Sequence, residues 1–352
     1  MRLPAHIMEL PRKVTVGNDI ASEVGKLLSD LDLGNKALVL SGPNVKELIG
    51  SDLDASLRES GYATNWERVG PSTFQEVERV AQLAKKTRVN FLVGVGGGKS
   101  IDIAKLASFN CKIPFVSIPT SASHDGIASP FASVKGLDRP YSMVAKPPVA
   151  IIADTEIIQK APPKLMASGC GDLVSKLTAV RDWELSHIKT NEYYGRYSAS
   201  LALLSANLIL EDANIISSKN RESVSVVVEA LISSGVAAGI AGSSRPCSGS
   251  EHLFAHAMDI VAPGKGLHGE KCGMGTIMMA KLHGMDYNAI RYSLKVIGLP
   301  TKASEIGATE DEVVKSLVLA REIRKERYTI LEETKLTSES AKSLAQETGV
   351  LS

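Results

Sequence analysis

Short apolar runs alternate with helical patterns over the first 160 residues, and this alternation limits the possible folds more than any other feature of the sequence. The runs are KALVLSG, NFLVGVGGG, IPFVSIPTS and VAIIAD, with a loop rich in Ser, Pro and Lys between the last two. Thr73 and Glu76 have the spacing of a capping box for the helix that precedes NFLVGVGGG. Continuously apolar strands joined by helices are typical of a parallel sheet covered by helices. We therefore predict an α/β domain over residues 1–160.

The strand signals largely end at the Ala-Pro-Pro sequence of residues 161–163. The segments 163–189, 193–213 and 221–242 then read as successive helices, as does nearly everything up to the C-terminus. We predict an all-α domain over residues 161–352. The active site is expected in the cleft between the two domains, where the carboxyl ends of the strands face the helices.

The stretch GVGGGKSID, residues 94–102, follows a predicted strand and has the composition of a phosphate-binding turn. The residue spacing excludes the two common templates. A P-loop requires glycine at position 93, which is Val93, and the dinucleotide fingerprint requires glycine at position 99, which is Lys99. The physics that these templates share still applies, since glycines let backbone N–H groups approach phosphate oxygens at a helix N-terminus. Three consecutive glycines weaken a turn that needs only one, so a bound phosphate explains them better than a turn without a ligand.

Composition argues against several classes of protein. The formal charge is +1 over 352 residues, so the net charge does not favour binding to nucleic acid or to an anionic membrane surface. The four cysteines include no C-x-x-C pair, which predicts free thiols in a reducing cytoplasm. The N-terminal MRLPAHIMELPRK lacks the apolar core of a signal peptide. The most membrane-like stretch, residues 223–244, contains Glu229 and many small residues, which predicts a buried helix.

Three of the seven histidines lie within seventeen residues of the helical part. His252 and His256 are four residues apart and project from one helical face, and His268 follows them. Upstream, SGCGD places Asp172 on a helix rich in small residues, where a carboxylate can enter a packed interior. Two imidazoles and a carboxylate fit a catalytic zinc or iron site that keeps one position for a substrate oxygen. By spacing alone, His252 and His256 are the natural pair of ligands. Two histidines four residues apart are, however, as often structural as metal-binding.

The motifs GGGKSID, PTSASHDG, SGCGD, SEHLFAHAMD and LHGEKCG, in this order, resemble the iron-containing alcohol dehydrogenase and dehydroquinate synthase superfamily. Within it, the chain is most similar to the archaeal sn-glycerol-1-phosphate dehydrogenase family, from LPRKVTVGNDI through KCGMGT. The resemblance implies a dinucleotide-binding first domain, NAD or NADP as cofactor, and one zinc ion per subunit. The implied reaction is reduction of dihydroxyacetone phosphate to sn-glycerol 1-phosphate, which supplies the backbone of archaeal ether phospholipids. The large helical domain suggests a homo-oligomer.

The resemblance also implies roles for individual residues. Asp172, His252 and His268 match the three zinc ligands. Asp125 and His256 match residues next to the substrate and, together with Asp172, form the implied catalytic and substrate-binding set. For His256 this departs from the spacing argument, and we follow the resemblance. The implied cofactor-binding residues are Gly97, Gly98, Lys99, Ser100, Ile101, Asp102, Thr120, Ser121, Ala122, Ser123 and Ser129.

Cofactor and substrate specificity leave weaker signals. The strand ALVLSGPN ends in Ser41 and Gly42, without the carboxylate that repels a 2′-phosphate, so we predict that NADH and NADPH are both used. Arg245 and Lys265 are candidates for holding a substrate phosphate, although each is more often an ordinary solvated charge. The alternatives are a glycerol dehydrogenase with an unphosphorylated substrate, a dehydroquinate synthase-like lyase, and a dinucleotide-binding regulator without catalysis.

Overall fold

The predicted strands form a parallel sheet in the computed structural model, which describes residues 6–134 and 141–351. The chain divides into two compact units, Met1–Ala161 and Pro162–Ser352. The strands described in the first unit are β1 (Lys13–Gly17), β2 (Lys36–Ser41), β3 (Ala63–Arg68), β4 (Phe91–Gly96), β5 (Phe115–Pro119), β6 (Phe131–Val134), β7 (Tyr141–Val144) and β8 (Ala150–Asp154). Six of them form the main sheet, in the order β1-β8-β5-β4-β2-β3, and every neighbouring pair is parallel. This confirms the predicted parallel α/β fold.

The direction of the strand connections reverses beside β4. The chain leaves β2 toward β3 on one side of the sheet, whereas it leaves β4 toward β5 on the other side. Because β2 and β4 are neighbours, the crevice at their carboxyl ends is a topological switch point, where open α/β sheets bind ligands. The stretch GVGGGKSID begins within β4 and continues past its end, so the glycines lie at this crevice.

The sequence pattern misses the two edge strands of the sheet, β1 and β3. All residues of β3 are exposed or half-buried, so this strand lacks the continuous apolar run that marks the inner strands. The predicted loop between β5 and β8 is partly wrong as well, because β6 and β7 pair as an antiparallel hairpin there. These two strands have four residues each, too few for a reliable periodicity. Residues 135–140 of that loop lie outside the described residues.

Helices connect the strands of the first unit. They are α1 (Val24–Leu28), α2 (Val45–Glu59), α3 (Phe74–Thr87), α4 (Gly98–Cys111) and α5 (Thr155–Gln159). Thr73 caps α3 as predicted, since its hydroxyl accepts a hydrogen bond from the N–H of Glu76. The second hydrogen bond of a capping box, from the N–H of Thr73 to the Glu76 carboxylate, was predicted wrongly. The Glu76 carboxylate instead accepts from the N–H of Gly70 and pairs with Arg79.

The regular elements described in the second unit are all helical, as predicted. The α-helices are α6 (Pro163–Val174), α7 (Lys176–Thr190), α8 (Arg196–Glu211), α9 (Ala213–Ser217), α10 (Arg221–Ala241), α11 (Ser250–Val261), α12 (His268–Leu282), α13 (Tyr287–Ile297), α14 (Glu310–Ile323), α15 (Ile330–Thr334) and α16 (Ser338–Glu347). The predicted helix 163–189 is divided at Ser175 into α6 and α7. Among the described helices, α10 alone is long and apolar enough to span a membrane, but 67% of its most apolar window is buried within the protein, which confirms the predicted buried helix.

Candidate cofactor and metal sites

The glycine stretch forms the turn between β4 and α4. Gly96 has a φ of 137°, a conformation that glycine adopts without strain. Gly97 is the N-cap residue of α4, and its carbonyl accepts a hydrogen bond from the N–H of Ser100 at 3.1 Å. The first N–H groups of a helix have no acceptor within the helix, so this end of α4 is suited to binding an anion.

The ring of His124 packs against Gly98. A Cβ atom on Gly98 would lie 1.9 Å from His124 Nε2, so a side chain at this position collides with the ring. The N–H of Gly126 donates to His124 Nδ1 at 2.8 Å and holds the ring from the other side. His124 therefore acts as a spacer between the glycine turn and the segment that contains Asp125.

Lys105 is a fully buried lysine on α4. Its Nζ donates to the carbonyl oxygens of Gly126 at 2.7 Å and Phe131 at 2.6 Å, and it lies 3.5 Å from Asp102 Oδ1. Asp102 Oδ2 accepts from the N–H of Ser133 at 3.2 Å. Burial lowers the pKa of Lys105, which the charge of Asp102 opposes. The predicted cofactor residue Asp102 thus uses its carboxylate to tie α4 to the segment 126–133.

Replacing Lys105 by methionine is expected to lower the free energy of unfolding by about 3–5 kcal/mol, because the buried carboxylate of Asp102 then lacks its cation. Chemical denaturation of the purified variant measures this loss. The exposed lysine Lys86 provides the control, since Lys86→Met removes the same charge without exposing a buried partner. Equal stability of the two variants would contradict a structural ion pair at Lys105.

Other residues predicted to contact the cofactor lie beside the glycine turn. The segment Thr120–Ser123 directly follows β5, and the N–H of Thr120 donates to the carbonyl of Gly96 at 3.0 Å. Ser121 Oγ lies 3.4 Å from the position that a Cβ atom on Gly97 would occupy. Ser129 is buried, and its hydroxyl accepts from the N–H of Phe131. The fold brings the segment Thr120–Ser123 to the glycine turn, and the contact of this segment and of Ser129 with a cofactor stays a prediction.

Four side chains of the second unit place metal-binding atoms within 4.8 Å of one another: Asp172, His252, His268 and Cys272. His252 Nε2 lies 3.3 Å from Asp172 Oδ1, and Cys272 Sγ lies 3.5 Å from His268 Nε2. His268 is half-buried and the other three are buried. A carboxylate, two imidazoles and a thiol form a donor set that zinc prefers. The structure brings the three predicted ligands together and adds Cys272 to them.

Glycines allow the helices that carry these donors to approach closely. A Cβ atom on Gly171 of α6 would lie 2.2 Å from the carbonyl oxygen of Gly269 on α12. A Cβ atom on Gly275 of α12 would lie 2.9 Å from the carbonyl oxygen of Glu251 on α11. The backbones of α6 and α11 therefore contact α12 directly, which brings donors from three helices into one place.

Lys176 is also fully buried, and its Nζ donates to Asp172 Oδ1 at 2.9 Å. Burial opposes ionisation of Asp172, but the charge of Lys176 and the hydrogen bond from His252 hold the pKa of Asp172 well below its usual range. The carboxylate is therefore ionised, as a metal ligand must be.

Glu251 orients one of the imidazoles. Its Oε1 lies 2.8 Å from His252 Nδ1 and accepts from the N–H of Gly249 at 2.6 Å, while its Oε2 accepts from the hydroxyl of Thr178 at 2.8 Å. With Nδ1 engaged in this way, Nε2 of His252 is the nitrogen that faces Asp172. Such carboxylate–histidine pairs fix the tautomer and direction of metal-binding histidines.

Replacing Glu251 by glutamine is expected to weaken zinc binding about 10- to 100-fold, because an amide stabilises the orientation of His252 less than a carboxylate does. Competition with a chromophoric chelator measures the affinity. Glu229→Gln alters an exposed glutamate of the same unit and should leave zinc affinity unchanged. Unaltered affinity in Glu251→Gln would remove Glu251 from any role in orienting His252.

His256 lies beside the donor group without belonging to it. The centre of its ring is 6.4 Å from that of His252 and 6.0 Å from that of His268. Its Nδ1 is buried and has no hydrogen-bond partner in the part of the chain that the structure describes. Burial, followed by the charge of His252, lowers the pKa of His256 to about 3, so the ring is neutral. The pairing of His252 with His256 that spacing favours is thus replaced by a pairing of His252 with His268.

The two cations considered as candidates for holding a substrate phosphate each have an anionic partner. Arg245 is only 3% exposed and donates from Nε to Glu192 at 2.8 Å. The alternative interpretation of Arg245 as an ordinary solvated surface charge is therefore wrong. Lys265 donates to both carboxylate oxygens of Glu312 at 2.8 Å. The structure therefore gives both residues an ion-pairing role within the unit.

Sequence reasoning overlooked several residues of these sites: Lys105, His124, Lys176, Glu251 and Cys272. Cys272 had a usable signal, because it follows His268 by four residues just as His256 follows His252. The buried lysines had none, since lysine is ordinarily exposed and nothing local marks the exceptions.

Comparison with known proteins identifies the family. Residues 15–162 match the family described as iron-containing alcohol dehydrogenase. The chain is 50% identical to glycerol-1-phosphate dehydrogenase (NAD(P)+) from Nitrosopumilus maritimus over 350 residues, 99% of this chain and 98% of the relative. It is also 50% identical to the enzyme of the same name from Metallosphaera sedula, with 100% of both chains covered.

Solved structures with lower identity support the fold alone. Glycerol dehydrogenase from Schizosaccharomyces pombe aligns with a TM-score of 0.82 at 21% identity, covering 98% of this chain and 91% of that one. The iron-containing alcohol dehydrogenase from Thermotoga maritima aligns with a TM-score of 0.72 at 18% identity, covering 98% and 99%. Because full-length relatives share half of its residues, the chain belongs to the glycerol-1-phosphate dehydrogenase family.

Proposed function

We propose that the protein reduces dihydroxyacetone phosphate to sn-glycerol 1-phosphate with NADH or NADPH. The observation that carries the proposal is the group formed by Asp172, His252 and His268, in a chain that is 50% identical to full-length relatives named glycerol-1-phosphate dehydrogenase. The glycine turn at the switch point of the sheet supports a role for the first unit in holding the diphosphate of the cofactor.

The donor set fits zinc, and a zinc ion bound there would act as a Lewis acid toward the substrate carbonyl. Asp172 would contribute the negative charge, which Lys176 and the hydrogen bond from His252 keep available. Glu251 would keep Nε2 of His252 turned toward the ion.

His256 is a candidate for handling the proton that the reduced oxygen must receive. Its buried Nδ1 has no hydrogen-bond partner among the described residues, and such a nitrogen calls for a bound water or ligand. Asp125 is the second candidate, implied by the family resemblance, and the choice between them stays open. The protein would orient ketone and cofactor so that hydride reaches one face only.

A cluster of cations near His256 supports a phosphorylated substrate. After burial and the charge of His252, three further charges lower the pKa of His256, those of Arg324, Lys271 and Arg327. Arg327 is held in place by hydrogen bonds from its guanidinium to the Ser248 carbonyl at 2.6 Å and the Ser244 hydroxyl at 2.9 Å. Burial and the charge of Arg324 lower the pKa of Arg327. A substrate phosphate would interact favourably with these cationic side chains, whereas unphosphorylated glycerol needs no such cluster.

Replacing Arg327 by methionine is expected to lower kcat/KM for dihydroxyacetone phosphate about 10- to 100-fold, the loss of one charged hydrogen bond. Turnover of unphosphorylated dihydroxyacetone and the dissociation constant of NADH should not change. Initial rates with the two ketones measure the difference. An equal loss with both ketones would mean that Arg327 supports the structure and does not bind the phosphate.

The function itself is tested by the decrease in NADH absorbance with dihydroxyacetone phosphate, compared with dihydroxyacetone and repeated with NADPH. We expect turnover of the phosphate ester with both cofactors, loss of activity with a chelator, recovery with zinc, and a product of sn-1 configuration. The end of β2 at Ser41, without a carboxylate, is the reason to expect NADPH use. Preference for dihydroxyacetone would make the protein a glycerol dehydrogenase. Failure with both ketones would reject the proposed substrate and favour a lyase or a regulator.

The wider setting rests on the family. We propose a homo-oligomeric enzyme of the cytoplasm that supplies glycerophosphate for ether phospholipids. Disulfides join none of the four cysteines, all of which lie in the described part of the chain, and this supports a reducing compartment.

A further inference from the structure

Cys272 lies one helical turn after His268 on α12, and its thiol faces the other donors of the candidate metal site. The residue is completely buried. Of the four cysteines, it alone belongs to a metal-donor group in the part of the chain that the structure describes. A buried thiol beside two imidazoles and a carboxylate has surroundings that differ from those of a cysteine in an apolar core.

The distances between the donors can be compared with those around a tetrahedral zinc ion. Zinc–sulfur bonds of about 2.3 Å and zinc–nitrogen bonds of about 2.0–2.1 Å place sulfur and nitrogen about 3.5 Å apart in a tetrahedron. Cys272 Sγ and His268 Nε2 are 3.5 Å apart. The corresponding separation of a carboxylate oxygen and a nitrogen is about 3.3 Å, and Asp172 Oδ1 and His252 Nε2 are 3.3 Å apart. Two edges of the donor group thus have the lengths that tetrahedral zinc requires.

We infer that Cys272 is the fourth protein ligand of the metal in the substrate-free protein. The inference rests on the metal centre of the proposed function and extends its ligand set beyond Asp172, His252 and His268. Three ligands of nitrogen and oxygen leave a position open, as catalytic zinc sites do, whereas a fourth donor closes the tetrahedron.

Two consequences follow from a sulfur ligand. A thiolate is a soft donor that favours zinc over hard ions such as magnesium or manganese, so Cys272 would contribute to the choice of metal. Four protein donors would also retain the ion more firmly than three while no substrate is present. Cys272 is therefore assigned to metal retention and selectivity.

Cobalt substitution provides a direct test, because a thiolate bound to Co²⁺ gives an intense sulfur-to-metal charge-transfer band in the near ultraviolet that nitrogen and oxygen ligands do not give. The full-length protein is stripped of metal with a chelator and titrated with CoCl₂ while the spectrum is recorded. We expect one equivalent of Co²⁺ to bind and to produce this band. This measurement on the unaltered protein decides the inference even if a variant fails to fold.

Cys272→Ser should remove the band, leave weaker visible cobalt absorption, and lower Co²⁺ affinity by at least about 10-fold, the smallest loss typical of altered metal surroundings. Cys247→Ser is the matched control, since Cys247 is buried in the same unit, where its thiol donates to the Ser234 carbonyl as a hydroxyl also would. It should keep the band. Co²⁺ binding without the band, or a band that persists in Cys272→Ser, would overturn the assignment of Cys272 alone. Failure of Co²⁺ to bind at all would overturn the metal centre of the proposed function as well.

Discussion

Asp172→Asn is expected to lower the rate of dihydroxyacetone phosphate reduction by about 10³-fold or more, equivalent to several kcal/mol of lost Lewis-acid stabilisation. Asparagine keeps the shape of the side chain but lacks the charge that attracts the metal. The zinc content of the purified variant should fall in parallel. Steady-state rates and metal analysis measure the two effects, and Asp311→Asn, at an exposed aspartate, should change neither.

The same substitution also affects stability, because Lys176 Nζ lies 2.9 Å from Asp172 Oδ1 and both side chains are buried. Loss of the carboxylate should lower the free energy of unfolding of the metal-free protein by about 3–5 kcal/mol. The double variant Asp172→Asn/Lys176→Met also removes the buried ammonium group and should recover much of this stability without recovering zinc. If the double variant regained both, the loss of metal in Asp172→Asn would reflect misfolding, and Asp172 would not be a ligand.

Gly98→Ala is expected to raise the dissociation constant of NADH about 100-fold, because a displacement of about 1 Å within a functional site can cost that much. The new Cβ atom would lie 1.9 Å from His124 Nε2, so either the glycine turn or the His124 segment must move. Fluorescence titration with NADH measures the affinity. Zinc affinity should be unchanged, since the donor group belongs to the other unit of the chain.

A double variant identifies the cause of this effect. His124→Ala removes the ring that meets the new Cβ atom, so Gly98→Ala/His124→Ala should bind NADH more tightly than Gly98→Ala alone. His124→Ala by itself should weaken binding only moderately, because the turn keeps its glycines. Without any recovery in the double variant, the collision would have to be with the cofactor itself and not with His124.

How much of the fold could be predicted depended on burial. The inner strands β2, β4, β5 and β8 are almost entirely buried, and their continuous apolar runs predicted them. The edge strands β1 and β3 lack such runs because one side of each has no strand neighbour. Strand order also escaped prediction, since the local pattern carries no information about which strands pair. The switch point beside β4 therefore became visible only in the sheet itself.

For the candidate site, the residue types predicted the kinds of chemistry and their order along the chain. Glycines after a strand predicted an anion-binding turn, and histidines with a carboxylate predicted a metal site, because these properties belong to the residues and to spacing within one helix. Which of these residues come into contact depends on the packing of the folded chain. Asp172, His252 and Cys272 come from three helices, and contacts between residues distant in sequence depend on how glycine-bearing helix faces pack. For the same physical reason, only the folded chain distinguishes His268 from His256 and gives Lys105, Lys176 and Glu251 their buried partners.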